Sequence, residues 1–105
     1  MEIFEWLFSI ENRVVHIVGS IKLNDLRNAI NGFIEAMRVM KDFYTDPFYP
    51  GFQRYVENCF NLKCATAKGW STLITEHAAD EKAALQMFYD LLREYYITIR
   101  QPDDH

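Results

Sequence analysis

Cys59 and Cys64 are the chain's two cysteines, and His16, His77 and His105 its three histidines. Thiolate and imidazole are the side chains that most often ligate zinc or form a nucleophile and base. The two cysteines stand five positions apart, which on a helix sets them about 140° apart around the axis, so they cannot grip one ion while helical. No second Cys or His pair stands at zinc-finger spacing. His77 and Glu81 are four apart, but Asp80 between them reads as a helix cap that breaks the shared face. Cys59 with His16 or His77 would make a dyad if the fold joined them, yet a cysteine on a buried helical face is inert. Ser71 follows Gly69-Trp70 rather than the glycine-flanked turn of a serine nucleophile, and reads as a cap. Gly19, Gly32, Gly51 and Gly69 are isolated, so neither a phosphate loop nor a dinucleotide fingerprint is present. These spacings argue for no metal, no cofactor and no enzyme.

Carboxylates remain. Glu76/Asp80 and Asp90/Glu94 are each spaced by four, which on a helix brings like charges together. They read as a solvated face, or as charge that a basic partner would relieve. Residues 1–70 balance eight acids with eight bases, whereas residues 71–105 hold seven acids and three bases. The whole excess behind the net charge of -4 therefore lies in the last third. An acidic face favours basic partners and disfavours nucleic acid and anionic lipid, and the bases are too scattered for a nucleic-acid platform.

The elements that must position these groups are helical. Apolar residues make up 50% of the 105-residue chain and aromatics 15%, enough for a core in one domain. Residues 2–9 predict a short helix with Ile3, Phe4, Trp6, Leu7 and Phe8 partly buried. "RVVHIVGSI" is ambiguous between an extended piece and a loop. Over residues 22–43, Leu23, Leu26, Ile30, Phe33, Ile34, Met37 and Met40 recur at helical spacing, with Ser20 or Asn24 as cap. Gly32 inside that helix predicts a close crossing there. A helix over about 50–62 would bury Phe52, Tyr55, Val56, Cys59 and Phe60. One over about 69–78 would bury Trp70, Leu73 and Ile74. Asp80 would cap the last, about 80–99, with Ala84, Leu85, Phe88, Leu91, Leu92, Tyr95 and Ile99 inward. The fold class is all-α, a compact single-domain bundle of four to five helices, with 99–105 a frayed tail. "VVHIV" and "YYITIR" are the places where a strand would compete. The start carries Glu2 and Glu5 where a secretory signal needs positive charge, and no apolar run approaches ~20 residues, so the expectation is a cytoplasmic protein.

One connection is unusual. "DFYTDPFYPGFQRYV", Asp42–Val56, packs six aromatics into fifteen residues, with two carboxylates and two prolines. Asp46 and Tyr49 precede proline, which disfavours helix at both. Phe52, Tyr55 and Val56 have core spacing. Phe43, Tyr44, Phe48 and Tyr49 fit neither helical face, so they are either a displayed cluster or a loop folded onto the core.

Three pieces together resemble a known pattern. "VVHIVGSIKLNDLRNAINGFIEA", "FYPGFQRYVENCF" and "KGWSTLI…DEKAALQMFYDLLREYY" occur in this order across residues 14–96. They resemble small bacterial immunity proteins encoded beside toxin domains, including those of contact-dependent growth inhibition. Two departures stand out: Arg13 is followed by Val14 where the family often has Arg-Pro, and Tyr55 replaces the usual Trp of "GF…WV". The resemblance implies inhibition by binding, in the cytoplasm, of a cognate toxin, one to one. Many such toxins are nucleases with basic active sites, which an acidic surface would cover and attract. On that reading Tyr44, Asp46, Phe48 and Tyr49, with Glu76, Asp80 and Glu81, line the toxin-facing surface, the rings as anchors. The competing readings are a small regulatory or adaptor domain, a helical carboxylate enzyme, and a homodimer through the aromatic loop.

Overall fold

The computed structural model describes residues 2–42, 44–61 and 68–100. Those residues form six α-helices: α1 Glu2–Ser9, α2 Val14–Val18, α3 Leu23–Met40, α4 Gly51–Cys59, α5 Trp70–His77 and α6 Glu81–Arg100. A 3-10 turn, Glu11–Arg13, joins α1 to α2, and no strand occurs among the described residues. The all-α expectation holds, but the count of four to five helices does not. The sixth is α2. A lone "VVHIV" strand would leave its backbone groups unpaired, whereas one helical turn satisfies them locally. Gly19 ends α2 in the left-handed region at φ 86°, its N–H donating to the Val15 carbonyl at 2.8 Å. Only Val14 of α2 is buried; Val15 and Ile17 remain about half exposed.

All six helices feed one core. Ile3, Phe4 and Leu7 come from α1, Val14 from α2, Leu23, Leu26, Ile30 and Ile34 from α3, Phe52 and Val56 from α4. Trp70, Leu73 and Ile74 of α5 close it against Ala84, Phe88, Tyr89, Leu92 and Tyr95 of α6. The rings interlock in offset and edge-on pairs, the favoured geometries. Phe52 lies 5.6 Å from Phe88 edge-on, and Trp70 stacks on Phe88 at 5.1 Å. Long-range hydrogen bonds tie the layers. The Tyr89 hydroxyl donates to the Leu7 carbonyl at 2.8 Å, and the fully buried Ser71 hydroxyl to Asn24 Oδ1 at 2.6 Å. Ser71 is thus a crossbrace between α5 and α3, not a cap.

Four other local expectations are corrected. Gly32 has open space where a side chain would start, so no close crossing occurs there. The close approach is at Gly51, whose missing methyl would run into the Tyr95 hydroxyl. Met40 lies at the exposed end of α3 and Cys59 at the exposed end of α4, both outside the core. Ile99, expected inward, is exposed near the end of α6, which runs through Arg100, whose guanidinium sits 5.3 Å above the Tyr96 ring. Cys64, Phe43 and the rest of the tail lie outside the described residues. No helix of the described residues is long and apolar enough to cross a membrane.

Candidate functional site

The aromatic loop folds back. Asp46 is its organiser: Oδ1 accepts the backbone N–H of Phe48 at 2.8 Å and of Tyr49 at 3.3 Å, an Asx turn that bends the chain into the cis Tyr49–Pro50 bond and α4. The bend drives Phe48 inward, where it is 1% exposed, stacked 4.8 Å from Phe52 and edge-on to Trp70 at 5.6 Å. Phe48 is therefore core, and cannot act as a displayed anchor. Tyr44 is half-buried against that core, its hydroxyl enclosed without a hydrogen-bond partner among the described residues. Burial, then the negative charges of Glu2 and Asp46, hold the Tyr44 phenol above its ordinary pKa. Tyr49 alone of the described loop rings stands clear, 51% exposed.

The acidic candidates gather where α5 gives way to α6. Glu76, Asp80 and Glu81 are all exposed. Asp80 caps α6 as expected, its Oδ1 accepting the Ala83 N–H at 2.8 Å. Because α5 stops at His77, Glu76 and Asp80 do not share a helical face. Glu76 instead pairs with Lys68 Nζ at 3.0 Å. The second acidic pair is occupied within the molecule. Asp90 bonds Arg93 and Gln86, each at 3.0 Å, and Glu94 accepts the Tyr55 hydroxyl at 2.8 Å.

Between α3, the loop leading into α4, and the start of α5 lies a cavity of about 490 Å³. α3 supplies Arg27 and Asn31, the loop and α4 supply Tyr49, Pro50, Gln53, Arg54 and Glu57, and Lys68 to Trp70 close the third side. Tyr49 is on its wall, and Lys68 hands the other wall to Glu76. Its deepest acid is Glu57, a charged residue only 7% exposed, held by Gln53 Nε2 at 3.0 Å. The same Nε2 also donates to the Lys68 carbonyl at 3.1 Å, which pins the entry to α5 against α4. Gln53 Oε1 and Arg27 Nε are buried with no hydrogen-bond partner among the described residues. Among the described residues, no histidine, cysteine, serine or threonine lines the cavity.

The sequence candidates for nucleophilic chemistry are engaged elsewhere. The His77 ring lies flat on Phe60 at 3.9 Å, and its Nδ1 donates to the Leu73 carbonyl at 2.8 Å. Cys59 sits by Tyr55; partial burial and the Glu94 charge push its thiol up, with the Tyr55 hydrogen bond opposing. A raised thiol carries less thiolate at neutral pH and is a weaker nucleophile.

Sequence reasoning missed the cavity, because it read the bases one at a time. The usable signal was two polar pairs at helical spacing, Arg27 with Asn31 and Gln53 with Glu57. Each marks a polar stripe beside an apolar one, but nothing in the sequence says the two stripes face each other. Searches against protein-family models, curated proteins and solved structures found no match.

Proposed function

We propose that the chain is a binding protein of the immunity type, without catalytic chemistry of its own, that holds a cognate bacterial toxin domain inactive in the cytoplasm. The toxin is a basic nuclease, bound one to one and covered at its active site. The observation that supports this reading is that one candidate ring and one candidate carboxylate stand exposed on either side of Lys68 and the cavity it lines. Tyr49 lines the cavity, Glu76 pairs with the lysine that lines it, and Asp80 and Glu81 are exposed at the start of α6. Exposed carboxylates together with a solvent-facing tyrosine suit a basic, concave partner: the charge accelerates encounter and the ring anchors the complex. Within this reading Tyr49, Glu76, Asp80 and Glu81 make contact, Tyr44 and Asp46 border the patch, and Phe48 acts only by holding the loop in place.

The test is protection. The protein is co-expressed with the product of the reading frame beside its own gene. Growth restored by the wild type, and not by the triple variant E76Q/D80N/E81Q purified as a folded protein, supports the reading. A neighbour that is harmless alone, or toxicity the protein leaves untouched, overturns it in favour of a regulatory or adaptor domain.

A further inference from the structure

The cavity between α3, α4 and the start of α5 holds a carboxylate that is left without a cation. Glu57 lines it and is only 7% exposed. Acids this deep are rarely found unpaired, because burial strips the charge of its water. Among the described residues Glu57 has no salt bridge, and its one side-chain hydrogen bond is the Gln53 amide on Oε2 at 3.0 Å. Its Oε1 has no partner there. The side-chain atoms sealed in without a partner are Arg27 Nε, Tyr44 Oη and Gln53 Oε1, and Glu57 Oε1 is not one of them, so it opens to the cavity. Arg54 stands three positions before Glu57 on α4, which puts the two on adjacent turns of one face. Both line the cavity, yet they do not close on each other as a salt bridge. Arg54 is exposed and has no carboxylate partner among the described residues. One face of α4 thus offers an unpaired acceptor and an unpaired cation a helical turn apart. Tyr49, Pro50 and Trp70 add apolar surface beside them, and the volume, about 490 Å³, is within the range of small-ligand sites.

We propose that this cavity binds a free α-amino acid with an apolar side chain. The ligand's ammonium donates to Glu57 Oε1, its carboxylate accepts from the Arg54 guanidinium, and its side chain lies against Tyr49, Pro50 and Trp70. An α-amino acid carries both charges on one carbon, which suits an acid and a base on adjacent turns of one helix. A simple carboxylic acid leaves Glu57 unmet, and a simple amine leaves Arg54 unmet. The site does not depend on the toxin reading, since it is defined by α4 and the cavity alone.

The experiment is an NMR titration of the intact protein, following the backbone amide signals of α4. The probes are L-leucine, L-methionine and L-phenylalanine, then the N-acetyl derivative and the amide of whichever binds tightest. Saturable shifts are expected with at least one of the three. Binding should be at least about tenfold weaker for the N-acetyl derivative, which lacks the ammonium, and for the amide, which lacks the carboxylate, since each loses a charge-assisted pair. E57Q keeps an oxygen for the Gln53 amide, and is expected to weaken the amino acid by about tenfold while leaving the N-acetyl derivative unchanged. R54Q, at an exposed position that leaves the core intact, is expected to weaken the amino acid by about tenfold and leave the amide unchanged, and it carries the test alone if E57Q does not fold. No saturable shift with any of the three, a derivative that binds as tightly as its parent, or full affinity in R54Q or in folded E57Q overturns the proposal.

Discussion

Replacing Gly51 by alanine tests the packing that shapes the cavity wall. Gly51 is the first residue of α4, directly after Pro50. A methyl there would overlap the Tyr95 hydroxyl and sit 3.2 Å from ring carbon Cζ. Tyr95 cannot step aside freely: it is 8% exposed and packed near Phe52 at 5.6 Å, Tyr55 at 5.5 Å and Phe4 at 6.2 Å. Either the ring leaves its rotamer or α4 lifts from α6. Overpacking of this kind costs about 1–3 kcal/mol. Against it stands the ordinary gain of Gly→Ala through the unfolded chain, about 0.4–1 kcal/mol. The net expectation is a loss of about 1–2 kcal/mol, which lowers Tm by roughly 5–15 °C in a domain of this size. Urea and thermal unfolding followed by far-UV circular dichroism measure it. The double variant G51A/Y95F isolates the cause. Without the hydroxyl, the closest obstacle is the ring carbon, and a shift of a few tenths of an ångström relieves it. The G51A penalty in the Y95F background should fall by about 1 kcal/mol or more. A G51A protein as stable as wild type, or an equal penalty in both backgrounds, refutes the argument.

Y44F should be neutral or stabilising by up to about 1 kcal/mol in urea unfolding, because it removes an enclosed hydroxyl with no hydrogen-bond partner among the described residues; a loss of stability would show that the hydroxyl is satisfied. Burial, with the Glu11 charge adding to it and Arg93 opposing, raises the Tyr89 phenol above its unfolded value near ~10. The unfolded chain then gives up that proton first, so stability is complete below about pH 10 and falls as pH rises through the folded value. Y89F should lessen that alkaline loss while costing about 1 kcal/mol at neutral pH for the hydrogen bond to Leu7. An unchanged alkaline slope would count against the burial of Tyr89. D80A should lose about 0.5–2 kcal/mol of stability with its helix cap, and D80N nearly none, since asparagine caps as well; equal effects of the two would mean that the cap carries no energy.

The sequence and the structure agree where periodicity decides. The apolar spacing of α3 and α6 placed Leu23 through Met37 and Ala84 through Tyr95 on inward faces, and Asp80 was legible as a cap because its side chain acts on the next turn. The disagreements are all questions of which surfaces meet. Gly32 looked like a crossing because glycine inside a helix is costly, but the crossing is at Gly51, fixed by a tyrosine 44 positions away. Phe48 looked displayed because no helix claimed it. Its direction is set by the Asp46 turn, and Asp46 looked like an exposed charge. "VVHIV" carries strand residues, but among the described residues no strand is present to pair with it, and it is helical. Of the predicted surface, Tyr49, Glu76, Asp80 and Glu81 are exposed, Tyr44 and Asp46 are half-buried, and Phe48 is inside. The cavity that Tyr49 lines depends on Arg27, Gln53, Arg54, Glu57 and Lys68, which converge from three elements and left only two short polar pairs as a trace.

The central claim is that an acidic, tyrosine-bearing surface holds a basic toxin domain. The most direct measurement is a calorimetric titration of that domain, from the neighbouring reading frame, with wild type and E76Q/D80N/E81Q at about 50 and 500 mM salt. These substitutions remove charge while the D80N side chain still caps α6, so folding is preserved. The account predicts a 1:1 complex that weakens at least tenfold in high salt for the wild type, with a weaker complex and a much smaller salt effect for the variant. Equal affinity and equal salt dependence for the two proteins would contradict it.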